Sequence, residues 1–131
     1  KWSVGLGATL ETFFIQPDGY NVGATRLVRE PKIEGQRTAF TVALDSIAKE
    51  WERLDFIKID AEGFEPFILD GAIQTIEKFK PVMLIEVVVE TLAHLNFTPD
   101  DIYSRLRALN YSFEISLRHS YDLLCTPLEG R

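Results

Sequence analysis

Two spacings of apolar residues divide the chain. In its first third the period is two: Phe40, Val42 and Leu44 alternate with smaller neighbours, as in a strand that buries one face. Strands are expected at residues 8–16, 24–30 and 37–44, with Asp18-Gly19 turning the chain between the first two. Asp45 is expected to cap a helix running to about Arg53, with Ile47, Ala48 and Trp51 on one side. Residues 56–60 read as a short strand. Pro66 suits the first turn of the next helix, where its missing amide hydrogen would have no partner anyway. Leu69, Ala72, Ile73 and Ile76 then form one apolar stripe along a helix that reaches about Phe79 and stops at Pro81.

Residues 82–89 are almost continuously apolar, the pattern of a strand buried on both faces of a parallel sheet, and Glu86 interrupts them. Thr98-Pro99-Asp100-Asp101 opens another helix with a capping hydroxyl, an early proline and first-turn acids; Ile102, Leu106 and Leu109 mark its buried face. Tyr111, Phe113, Ile115 and Leu117 alternate with polar residues, and a turn at residues 118–120 leads to a last strand over 121–126. The order is one α/β domain over residues 1–131, with a β-rich segment (1–44) and an α/β crossover segment (45–131) ending in an antiparallel pair. An antiparallel strand inserted beside parallel ones resembles the class I methyltransferase sheet.

Composition narrows the setting. A chain of 131 residues is long enough for one core that buries roughly two thirds of the unfolded surface. A net charge of −6 opposes general attraction to nucleic acid or anionic membranes, and the pairs Arg26/Arg29 and Lys78/Lys80 read as solvated charge. No run approaches the roughly 18 apolar residues of a membrane span. Cys125 is the only cysteine, which excludes an internal disulfide and fits a reducing, cytoplasmic setting; within Leu123-Leu124-Cys125 it reads as inert core. The chain begins at Lys1 and not at methionine, so further residues are expected upstream.

In open α/β sheets ligands bind beyond the carboxyl ends of the strands. Asp60 stands at such an end, and Glu62 and Glu65 follow it in front of a helix start. Glu65, next to Pro66, is also placed to favour the helix dipole and cap its amides. Lys58 and Asp60 share a strand face and can form an ion pair, and Gly63 permits a tight connection. Glu86 within an apolar strand needs a partner or an open strand end, because a buried lone carboxylate is costly. His94 and His119 lack paired metal spacing, and Tyr20, Phe64 and Phe97 are either pocket lining or core.

The segments Leu44-Asp45-Ser46-Ile47, Asp55-Phe56-Ile57-Lys58-Ile59-Asp60-Ala61-Glu62-Gly63-Phe64-Glu65, Leu69-Asp70-Gly71-Ala72 and Lys80-Pro81-Val82-Met83-Leu84-Ile85-Glu86-Val87 carry a family pattern. Together with Asn21 and Gly23 they resemble, in type and spacing over roughly residues 20–126, the FkbM family of S-adenosylmethionine-dependent methyltransferases. The resemblance implies a seven-stranded Rossmann-like sheet and methyl transfer to an oxygen of a hydroxyl-bearing small molecule or sugar. It further implies that Asp60 faces cofactor and acceptor, with Glu62, Glu65 and Glu86 around it as candidate catalytic groups. Asp60 is the leading base or acceptor hydrogen-bond partner, and no metal is assigned.

The family's glycine-rich cofactor loop and its ribose-binding acid have no counterpart in this chain, since Gly5-Leu6-Gly7 lacks a preceding hydrophobic strand and a following helix. The chain is therefore expected to be the C-terminal part of a methyltransferase domain, to lack the N-terminal cofactor-binding strands, to be inactive alone, and to associate with itself through the broken side. Two other readings compete: a magnesium-dependent enzyme using the Asp60, Glu62 and Glu86 carboxylates, and a non-catalytic α/β binding module.

Overall fold

In the computed structural model, which describes residues 4–17, 25–115 and 121–128, the strands form two sheets. The first contains β1 (Val4–Leu6), β2 (Glu11–Gln16), β3 (Arg26–Val28) and β4 (Thr38–Val42) in the order β1-β4-β2-β3, with β1 parallel to β4 and the other pairs antiparallel. The second contains β5 (Phe56–Ile59), β6 (Val82–Glu86), β7 (Tyr111–Ile115) and β8 (Asp122–Pro127) in the order β5-β6-β8-β7. There β5 and β6 are parallel, and β8 is inserted antiparallel to β6 and β7. The helices are α1 (Leu44–Ile47), α2 (Glu65–Asp70), α3 (Ile73–Phe79), α4 (Val89–Ala93) and α5 (Pro99–Ala108). The chain is thus mixed α/β with the expected antiparallel insertion, but its described strands form two sheets where one was expected. None of the described helices is long and apolar enough to cross a membrane.

Several elements differ from the sequence pattern for local reasons. The strand β1 was not foreseen, Ala8 to Leu10 bend before β2, and Leu44 opens α1 instead of closing β4. The Asp18-Gly19 turn, Ala24, Leu117 and the turn at 118–120 lie outside the described residues. The expected helix to Arg53 is only the short α1, because Asp45 does not cap it. Its carboxylate accepts hydrogen bonds from the backbone amides of Gln74 at 3.1 Å and Thr75 at 2.8 Å, and from the Thr75 hydroxyl at 2.7 Å. Asp45 therefore caps α3, whose first amides have no partner within the helix. Ile47 and Trp51 are left exposed, whereas Ala48 is buried.

The helix expected from Pro66 to Phe79 breaks at Gly71-Ala72. The Gly71 carbonyl accepts the Asp45 amide at 2.9 Å, and a Cβ on Gly71 would overlap the carbonyl of Gly7. The break shifts the helical phase, so Leu69, Ala72 and Ile76 are buried as the stripe requires while Ile73 is exposed. Likewise, residues 82–89 are not one strand: β6 ends at Glu86 and Val89 opens α4. The start of α5 is as expected in position, with the Asp101 carboxylate reaching back to accept from the Thr98 amide at 2.8 Å and hydroxyl at 2.9 Å.

One face of the second sheet carries the core. Ile59, Met83, Ile85, Leu123, Cys125 and Tyr111 pack beneath Leu69, Ile76, Leu92, Ile102 and Leu106 of the helices. Burial pushes the Cys125 thiol up to about 12, consistent with an inert core residue. The opposite face, with Phe56, Val82, Leu84 and Leu124, contributes nothing to that core and is half-buried or exposed. Strand β6 is therefore buried on one face, where the sequence predicted two, because the described helices all contribute to the same side. The sheets are joined by rings: Phe13 of β2 meets Phe64 edge-on at 4.9 Å, Phe64 meets Phe67 at 4.7 Å, and Phe67 meets Phe97 at 5.1 Å. The Arg29 guanidinium lies 5.2 Å from the Phe13 ring centre and 5.4 Å from that of Phe67, a cation–π contact to both.

The contact between Gly7 and Gly71 gives a direct test. Gly71→Ala forces backbone apart in a packed junction and is expected to lower stability by at least about 1–3 kcal/mol, read as a reduced urea midpoint. An unchanged midpoint would show that the junction yields without cost.

Candidate functional site

The candidate site stands at the carboxyl end of the parallel pair. Strands β5 and β6 are aligned so that Phe56 faces Val82 and Ile59 faces Ile85, which brings Asp60 and Glu86 out of the sheet side by side. Asp60 is partly exposed and accepts from Lys58 Nζ at 2.7 Å, the ion pair that their shared strand face suggested. Both side chains are open to solvent, where such a pair adds little to stability. The Lys58 ammonium is held above its ordinary pKa by that hydrogen bond and by the Asp60 charge, with smaller help from Asp122 and Glu86.

After Asp60 the chain reverses sharply. Glu62 has φ 51° and Gly63 φ 97°, both in the left-handed region. Gly63 is required twice over, because a Cβ there would also overlap the Thr91 carbonyl where α4 begins its course over the loop. What holds this reversal is Glu65. Only 2% exposed, it accepts through Oε1 from the amides of Ala61 at 2.9 Å and Gly63 at 3.2 Å, while Oε2 is buried without a partner. Burial pushes its carboxyl above the ordinary range against the pull of these amides, and the nearby Asp60 charge adds to the rise. Glu65 thus folds the loop back on the helix start, and it does not line the cavity described next.

A cavity of about 330 Å³ opens between the first sheet and this loop, walled by Leu6, Ile15, Leu27, Ala39, Phe64 and Ile68, with Asp60 and Glu62 at its edge. A smaller one of about 170 Å³ runs beside β5 and shares Leu6, Asp60, Ala61 and Ile68. Asp60 therefore lines both. Glu86 stands on the other side of Asp60, half-buried at the open strand end that its sequence setting required. Its carboxyl is pushed up first by burial, then by the charges of Asp60, Glu62 and Asp122.

The structure thus gathers Asp60, Glu62 and Glu86 and puts Glu65 behind the loop. It adds Asp122, which no sequence pattern marked, because only the β6–β8 register sets it opposite Glu86. Phe64 is core and cavity wall at once, Phe97 is half-buried against Phe67, and His94 is exposed at the end of α4. Tyr20, Asn21, Gly23 and His119 lie outside the described residues. Among the described residues no three His, Cys, Asp or Glu side chains are arranged to hold a metal ion.

Glu65 makes the fold sensitive to pH. A carboxyl that is harder to ionise when folded binds its proton more tightly in the folded state, so stability is greatest where the group is protonated. It falls as pH rises from the unfolded glutamate value of about 4.3 through the raised folded value. Glu86 shifts in the same direction and adds to the slope. Glu65→Gln keeps an acceptor for both amides and cannot ionise. It is expected to flatten the fall in urea midpoint as pH rises above the unfolded glutamate value of about 4.3 and to be at least as stable as wild type once the wild-type carboxyl has ionised. Glu65→Ala strands both amides and is expected to lose about 1–3 kcal/mol. A glutamine variant as steep as wild type would remove Glu65 as a source of the slope.

The model of the FkbM methyltransferase domain matches residues 4–113, most of the chain, including Asp60, Glu62, Glu65 and Glu86. Comparison with curated proteins and with solved structures finds no match. On that match the chain belongs to the FkbM methyltransferase domain family.

Proposed function

We propose that the chain serves S-adenosylmethionine-dependent methyl transfer to a hydroxyl oxygen of a small molecule or sugar, with Asp60 as the group that takes the hydroxyl proton. Asp60 carries this reading, because it alone of the candidate acids borders both cavities and also stands beside Glu86 at the strand ends. The apolar walls of Leu6, Leu27, Phe64 and Ile68 suit an adenine ring, and the carboxylates of Asp60 and Glu62 at the mouth suit the cationic sulfonium end. S-adenosylmethionine, when bound, supplies an electrophilic methyl group.

The residues of the chain supply position and a base. Asp60 orients the acceptor hydroxyl and accepts its proton, contributions that depend on distance and alignment more than on binding strength. Lys58 holds the Asp60 carboxylate in place through their 2.7 Å ion pair. Glu62 borders the cofactor side and Glu86 the acceptor side, while Glu65 holds the loop that sets their spacing. The fit to the cofactor is partial: among the described residues, Gly5-Leu6-Gly7 belongs to β1 and its following bend, and no loop with more than one glycine joins a strand to a helix N-terminus.

Methyl-group NMR of the chain titrated with S-adenosylmethionine tests both parts. Binding is expected to be weaker than micromolar, with shifts at Leu6, Leu27 and Ile68 that disappear in Asp60→Asn. Micromolar affinity by calorimetry would overturn the partial fit, and shifts that avoid the Asp60 rim would overturn the assignment of the cavity.

We further propose that two copies of the chain associate at open sheet edges. Strands β1 and β5 each end a sheet with no described strand beside them, leaving backbone groups that another strand can pair. Light scattering is expected to give a dimer or larger; a monodisperse monomer would overturn this.

A further inference from the structure

The register of the second sheet adds a residue to the acceptor side. With Ile59 opposite Ile85, the following residues Asp60 and Glu86 leave β5 and β6 side by side, and the antiparallel β8 sets Asp122 opposite Glu86. Three carboxylates therefore stand in one row across β5, β6 and β8, on the face that the helices do not cover. Like charges directly opposite in an antiparallel pair are destabilising, and neighbouring carboxylates resist ionising together.

The groups facing the row decide where a shared proton sits. Asp60 has Lys58 Nζ at 2.7 Å, and that ammonium also senses Asp122 and Glu86 more weakly. Asp122 has one acid neighbour across the ladder, and Glu114 lies one row back on β7, opposite Leu124. Glu86 has an acid on each side, is half-buried, and also feels Glu62 from the loop. Glu86 is thus the member for which charge is least favourable.

We propose that Asp122 is a positioning residue of the acceptor site: it keeps a proton on Glu86, and Glu86 uses that proton to hydrogen-bond the Asp60 carboxylate. The consequence for catalysis rests on the methyl-transfer reading above. As the acceptor oxygen forms its bond to the methyl carbon, the electron pair of the broken carbon–sulfur bond stays on sulfur. The hydroxyl proton passes to the Asp60 carboxylate, and Glu86 keeps its own. Without Asp122, Glu86 would ionise more readily and face Asp60 with a second negative charge instead of a donor.

Carbon-13 NMR of the side-chain carboxyls through a pH titration of the whole chain tests the proposal without turnover. Glu86 is expected to titrate above the ordinary glutamate range and to move down in Asp122→Asn. A Glu86 midpoint in the ordinary range, or one that is the same in wild type and Asp122→Asn, would overturn the proposal. If Asp122→Asn loses the amide dispersion of a folded chain, the wild-type Glu86 midpoint at rising salt decides: a fall as the neighbouring charges are screened supports the proposal, and a constant midpoint overturns it. A failure of cofactor binding at the Asp60 rim would leave these curves unchanged, so the two readings can fail separately.

Discussion

Glu65 is a carboxylate with almost no access to water, held against two backbone amides, and much of the site depends on it. Its Oε1 joins Ala61 and Gly63, and the chain between them turns through left-handed conformations at Glu62 and Gly63 that an extended loop would not adopt. The turn delivers Phe64 into the ring cluster with Phe13 and Phe67, so the same loop that presents Asp60 also ties the two sheets together. Such an acid is expensive to bury, and its unpartnered Oε2 shows that the expense is not fully offset within the chain. The functional rim and the joint between sheets thus share one stabilising contact.

A second junction governs how the helices reach that rim. Gly7 and Gly71 let the chain after β1 lie against the end of α2, and Asp45 reaches from α1 to cap α3 just beyond the break. On either side of the break, Leu69 of α2 and Ile76 of α3 enter one core. Asp70, at the end of α2, is gripped by the Arg105 guanidinium of α5 through two contacts of 2.7 and 2.8 Å. Short helices that would be marginal alone are held by these long-range contacts and not by their own length.

The sequence made parts of this readable and hid others for definable reasons. The strand at Phe56, the start of α5 and the burial of Leu69, Ala72 and Ile76 followed from local period and capping chemistry. Asp45 looked like the cap of its own helix because side-chain capping is usually local; its true partners are at Gln74 and Thr75. The break at Gly71 depended on a close approach by Gly7, which no local pattern encodes. At the site, Asp60, Glu62 and Glu86 were visible as acids near strand ends, and the Lys58–Asp60 pair followed from period two. The position of Glu65 behind the loop and the arrival of Asp122 were not visible, since one depends on a reversal in the left-handed region and the other on register.

Register also explains why acids can collect here without unfolding the sheet. The core face of the same strands is apolar at Ile59, Ile85 and Leu123, immediately before or after Asp60, Glu86 and Asp122. Alternation places each carboxylate on the opposite side of the sheet from the core, at the strand end, where water reduces the repulsion. Burial therefore fixes the strands while the open side carries the charge. A one-residue slip of β8 would put Asp122 into the core and an apolar residue beside Glu86, so the hydrophobic packing that sets the fold also enforces the alignment of the carboxylates.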